Sequence, residues 1–139
     1  MFSKILNAND GSDRAFKAFA AALDLAQRYG SELHMICVEE MPNFPTTIDE
    51  IVEEKAEANH FYGPVVRRAR ELSKSAAVPL AAYVVAGHPV QRIVRFIEVE
   101  RCDLLMIGFM GHSALYERVI GGTADRLVRL APCAVMVVK

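Results

Sequence analysis

The period of the apolar positions changes repeatedly along this chain, and each change marks a new element. Ser3 to Asn9, centred on Ile5 and Leu6, predicts a short first strand. Asp10-Gly11-Ser12-Asp13 then supplies turn and N-cap chemistry. Phe16, Phe19, Ala20, Leu23 and Ala26 recur at three and four, so one helix face runs to about Tyr29. Gly30 is placed to cap that helix. Leu33 to Val38 is apolar on both alternations, as a strand covered on both faces is. Residues 39–48 contain two prolines and read as a loop.

From Asp49 to Ala76 the pattern is helical but is broken by Gly63-Pro64. A proline inside a helix removes a hydrogen bond and costs about 3 kcal/mol. The segment is therefore either kinked or two helices, the second with Pro64 in its first turn. Val65, Ala69, Leu72 and Ala76 keep helical spacing beyond it. Leu80 to Val85 predicts a third strand, leading through Ala86-Gly87-His88-Pro89 to a helix with Val90, Ile93, Val94 and Ile97 on one face. A fourth strand over Asp103–Ile107, a last helix from about Gly122 to Leu130 and a closing strand Ala134–Val138 complete the order. Strands and helices alternate throughout. That predicts an α/β fold with a parallel sheet, right-handed crossovers and helices on both faces. At 139 residues the chain is expected to form one domain, residues 1–139, around one sizeable core.

Candidate chemistry concentrates in the last third. The buried-strand run Leu104-Leu105-Met106-Ile107 ends on Gly108, Gly111 follows, and Gly121-Gly122-Thr123 opens a helix. Glycines let backbone approach a ligand closely, and the unpaired amides and positive dipole end of a helix attract an anion. Open α/β sheets bind ligands beyond the carboxyl ends of their strands, which here collects Ala8-Asn9-Asp10, Val38 and the Gly108–Thr123 loop. Asp10 has two uses: capping the next helix, a task Ser12 or Asp13 could take instead, or facing ribose hydroxyls or, through water, a phosphate-bound Mg2+. Thr123 is likewise either a cap or a hydroxyl donor to phosphate, and Arg118 is either a phosphate ligand or a solvated loop residue.

Several classes are disfavoured. Lys+Arg 16 against Asp+Glu 17 gives a formal net charge of -1, which offers nothing to draw nucleic acid or a membrane surface. With 53% hydrophobic and 24% charged residues the chain has the composition of a compact soluble protein. The first residues, Met1-Phe2-Ser3-Lys4-Ile5, lack a signal-peptide pattern, and no apolar run approaches the length of a membrane span. Cys37, Cys102 and Cys133 are far apart without CxxC spacing, which fits buried thiols in a reducing cytoplasm. His34, His60, His88 and His112 share neither a helical face nor a metal spacing, although His112 falls inside the glycine loop and could touch phosphate. There is no GxSxG elbow. No glycine is followed by Lys-Ser or Lys-Thr, so the lysine that usually steadies a transferring phosphoryl group is missing. Binding is better supported than fast hydrolysis.

Gly108-Phe109-Met110-Gly111, nine residues and then Gly121 resemble the G-2x-G-9x-G-(S/T) nucleotide loop of the universal stress protein family. Ile5-Leu6-Asn7-Ala8-Asn9-Asp10-Gly11-Ser12, Gly87-His88-Pro89 and Ala131-Pro132-Cys133-Ala134-Val135-Met136-Val137-Val138 resemble the same family, in the same order. The resemblance implies a three-layer α/β/α, Rossmann-like fold of the adenine nucleotide alpha hydrolase-like kind, an open twisted parallel sheet of five strands in order 3-2-1-4-5. It also implies a homodimer joined through residues 134–138 and, in one branch, bound ATP. Carried over by position, Ala8, Asn9 and Asp10 line the adenosine side and Val38 the adenine. Gly108, Phe109, Met110, Gly111, His112 and Ser113 wrap the phosphates, closed by Gly121, Gly122, Thr123 and Ala124. Gly122 departs from the family pattern, which has Ser or Thr there. The Gly63-Pro64 break is unusual for the family too, and is expected to lie away from the site.

The leading expectation is thus a cytoplasmic protein that binds ATP or another adenine nucleotide, alone or with Mg2+, and acts in stress response through conformation or dimerisation, including on an unidentified protein partner. A slow ATP hydrolase with Asp10 holding the metal is one alternative. A protein-interaction module with an empty loop is the other.

Overall fold

The computed structural model describes residues 1–40, 61–109 and 122–139, together with the backbone of residues 51–53. Its elements are β1 (Lys4–Ala8), α1 (Asp13–Tyr29), β2 (Glu32–Glu40), β3 (Ile51–Glu53), α2 (Tyr62–Ser75), β4 (Leu80–Gly87), α3 (Pro89–Glu100), β5 (Leu104–Gly108), α4 (Gly122–Leu130) and β6 (Ala134–Val138). Five strands are parallel and lie in the order β4-β2-β1-β5-β6. Counted among themselves this is the expected 3-2-1-4-5.

The strands read as continuous apolar runs because each face of the sheet has its own core. Ile5, Leu33, Met35, Leu104 and Met106 pack under α1 and α2, against Phe16, Phe19, Val65, Val66 and Ala69. Their neighbours Leu6, Ile36, Val38, Leu105 and Ile107 point the other way, under Val90, Ile93, Phe96, Ala124 and Leu127 of α3 and α4. Period-two alternation across a sheet with helices on both sides requires this. Arg68 of α2 sets its guanidinium 3.9 Å from the centre of the Phe16 ring, joining the two helices of one layer. At the start of the sheet, Asp103 accepts the amides of Ser3 at 2.8 Å and Lys4 at 3.0 Å, so a carboxylate clamps β1 to β5.

Three details differ from the sequence pattern. Ile51–Glu53, read as helix, is a strand antiparallel to β4, with Ile51 opposite Val85 and Glu53 opposite Tyr83. The edge of β4 offers unpaired backbone groups, and the β-branched Ile51-Val52 suits that partner better than a helix turn. Glu39 and Glu40, read as loop, continue β2 because Ala86 and Gly87 of β4 extend beside them. One of the two arrangements expected around Gly63-Pro64 is the one found: α2 begins at Tyr62, so Pro64 falls in its first turn, where its missing amide would have no intrahelical partner. Ala20 and Leu72, expected on apolar faces, are exposed; Ala22 and Ser73 are the buried neighbours.

Candidate functional site

A cleft of about 450 Å3 opens beyond the carboxyl ends of β1, β2 and β5, a volume suited to a small organic ligand. Ala8, Asn9 and Asp10 form its β1 side, and Ile36, Val38 and Glu40 come from β2. Across it stand Pro89 and Ile93 of α3, Ile107 and Gly108 of β5, and Gly122, Thr123, Ala124 and Leu127 of α4. Two helices, α3 and α4, therefore begin at the cleft and turn their positive dipole ends toward it. Eight expected residues meet here: Ala8, Asn9, Asp10, Val38, Gly108, Gly122, Thr123 and Ala124. Phe109 follows the cleft-lining Gly108 but is buried beneath two cations, its ring centre 5.9 Å from the Arg14 guanidinium carbon and 5.3 Å from the Lys139 ammonium. Met110, Gly111, His112, Ser113, Arg118 and Gly121 lie outside the described residues, as does His60.

The β1 side of the cleft is held by a buried polar chain. Asn7, fully buried, donates from Nδ2 to the Met106 carbonyl at 3.1 Å and accepts Nδ2 of Asn9 at 3.2 Å. The Asn9 side-chain oxygen accepts the Gly11 amide at 2.8 Å, while its own amide donates to the Ile36 carbonyl at 2.9 Å. Buried amides stay stable only when paired, and this chain fixes the turn that follows β1. Gly11 takes a φ of +87° in that turn, a conformation glycine adopts without penalty. Asp10 accepts the Ser12 amide at 3.0 Å, and Ser12 in turn caps α1, its hydroxyl accepting the Ala15 amide at 3.1 Å. Capping thus falls to Ser12, leaving Asp10 on the cleft wall. Its charge reaches under the floor: burial first, then Asp10, pushes the Cys37 thiol up to about 12. Cys37 is a packed, unreactive thiol.

Position 108 needs glycine for a reason other than ligand approach. A Cβ on Gly108 would stand 2.8 Å from the carbonyl carbon and oxygen of Arg14, in the first turn of α1. Among the described residues, a Cβ at Gly122 would meet nothing within 4 Å.

Sequence reasoning missed Phe61 and Tyr62, which line the cleft at the start of α2. The Gly63-Pro64 pair therefore does not lie away from the site; it follows directly on two of its walls. Tyr62 is buried and donates its hydroxyl to the Val38 carbonyl at 3.1 Å. Burial, followed by Cys37, Asp10, Glu39 and Glu40, raises its phenol far above the usual value, so the group stays a donor. Phe61 meets the Tyr62 ring edge-on at 4.7 Å between centres and is more than half exposed. Glu40 adds a second carboxylate to the lining beside Asp10. Of the other histidines, His34 is buried against Tyr83 and Phe96, and His88 precedes Pro89 at the start of α3. No group of three or more His, Cys, Asp or Glu side chains among the described residues could hold a metal ion.

The model of the universal stress protein family matches residues 1–139. The chain belongs to that family. A universal stress protein from Thermus aquaticus is 29% identical over 140 residues, covering all of both chains. Among solved structures, universal stress protein UspA from Lactobacillus plantarum is similar with a TM-score of 0.80 and 25% identity, over 99% of this chain and 97% of that one. A universal stress protein solved in complex with cAMP has a TM-score of 0.75 at 23% identity, over 99% and 97%. One from Archaeoglobus fulgidus in complex with dAMP has a TM-score of 0.67 at 19% identity, over 100% and 98%. Among the described residues no helix is long and apolar enough to cross a membrane.

Proposed function

We propose that this universal stress protein binds an adenine nucleotide in the cleft at the ends of β1, β2 and β5. The observation that carries the reading is a cleft lined both by Asp10 and by the N-termini of two helices, α3 and α4. Apolar side chains such as Ile36, Val38 and Ile93 suit a flat base, and helix N-termini suit a phosphate. Two structurally similar proteins were solved with cAMP and dAMP, which share the adenine. ATP is the form expected from the glycine loop, with Mg2+ reached from Asp10 through water. Binding, with little turnover, changes the conformation or pairing of a cytoplasmic stress-response protein formed by residues 1–139 as one unit.

The pairing surface in this reading is β6. It lies at a sheet edge, its Met136 is 39% exposed, and its sequence carries no charge to blunt that edge. Two-fold pairing of β6 with its copy is closed and self-complementary.

Mass spectrometry of small molecules released on denaturing the purified protein tests the binding reading. An adenine nucleotide in stoichiometric amount supports it. A protein that is released empty and takes up no adenine nucleotide on incubation would sink it.

A further inference from the structure

Along β2, carbonyls two residues apart point to the same neighbour. The Ile36 carbonyl accepts the Asn9 amide, the last rung between β2 and β1. Val38 comes two residues later, where the chain after β1 has already turned through Asp10 and Ser12 into α1. Its carbonyl therefore faces the cleft mouth past the end of its partner strand, and the Tyr62 hydroxyl donates to it there. Both residues line the cleft.

Resting on the adenine-nucleotide reading of this cleft, we propose that Tyr62 is a specificity-determining residue: its hydroxyl holds the Val38 carbonyl and yields it to the exocyclic amine of an incoming base. The tyrosine acts as a stand-in donor, since a buried carbonyl left bare is unfavourable. Exchange makes amine-bearing bases pay one hydrogen bond to enter, whereas a base without that amine leaves the Tyr62 contact intact. Phe61 meets the Tyr62 ring edge-on and is exposed at the same wall.

The test compares wild type with Tyr62→Phe for two probes, AMP and purine riboside 5′-monophosphate, which lacks the exocyclic amine. In Tyr62→Phe the Val38 carbonyl has no hydroxyl to give up. AMP affinity is expected to rise roughly fivefold, the size of one net hydrogen bond, with the other probe unchanged. The empty variant should also unfold at a lower temperature than wild type. Because the readout is the ratio of the two affinities within each variant, a loss of folded material cannot produce it. An unchanged ratio, or AMP binding weakened by Tyr62→Phe, would overturn the role of Tyr62 while leaving adenine-nucleotide binding standing. Wild type that binds neither probe would overturn both.

Discussion

Gly108 and Arg14 are in backbone contact: the last residue of β5 lies so close to the first turn of α1 that a Cβ on Gly108 would be 2.8 Å from the Arg14 carbonyl oxygen. The glycine that reads as the start of a nucleotide loop is thus also the position where helix and strand close on each other. Gly108→Ala must push α1 away from the sheet. Overpacking of this kind costs about 1–3 kcal/mol. Chemical denaturation should show that loss; a variant as stable as wild type would mean the contact relaxes freely.

Gly122 is the opposite case. No atom of the described residues would crowd a Cβ there, so Gly122→Ser should leave stability within about 0.5 kcal/mol of wild type. The hydroxyl restores the donor that the family pattern has there, and one net hydrogen bond of about 0.5–1.5 kcal/mol should tighten ATP binding several-fold. Titration calorimetry checks both signs: weaker binding by the serine variant would show that the backbone there requires glycine.

Most of the fold was legible because it depends on local pattern. Phe16, Phe19 and Ala26 mark a helix face by spacing alone, and the apolar runs of β2 and β5 mark strands buried on both sides. The strand at Ile51–Glu53 was not legible, since it exists only because β4, some thirty residues later, offers an edge. The cleft divides the same way. Asp10, Val38 and Gly122 fall at strand and helix ends that sequence order reveals. Tyr62 enters through a contact with Val38, 24 residues away, that no local spacing encodes. The proline after it was a clue to where α2 starts, and hence to what stands at its first turn.

Acid should loosen the start of the sheet. Partial burial of Asp103 works to raise its pKa, but the amides of Ser3 and Lys4, and its own, outweigh that and hold it below 3.8. A carboxyl lowered in the folded state adds stability above its unfolded value and loses it as pH falls through the folded one. Asp103→Asn should therefore be less stable than wild type at neutral pH, with the gap closing below pH 3.8. Unfolding curves for the pair across that range would expose a constant gap if the clamp is not ionic.

Self-association should run through β6. Val135 and Val137 pack against the α3–α4 core, so charging them harms the fold, whereas Met136 is exposed and faces away from it. Met136→Glu should shift the protein from dimer to monomer in light scattering with the thermal midpoint nearly unchanged. A wild-type mass of one chain at micromolar concentration would remove this interface from the account.

Nucleotide-free wild-type protein titrated with AMP in a calorimeter is the most direct measurement of the central claim. Saturable binding of one AMP per chain, with GMP giving much weaker heat, is the expected result, because the cleft between Val38 and Ile93 is read as an adenine site backed by helix N-termini. No saturable heat from AMP or ATP at millimolar concentration would contradict it.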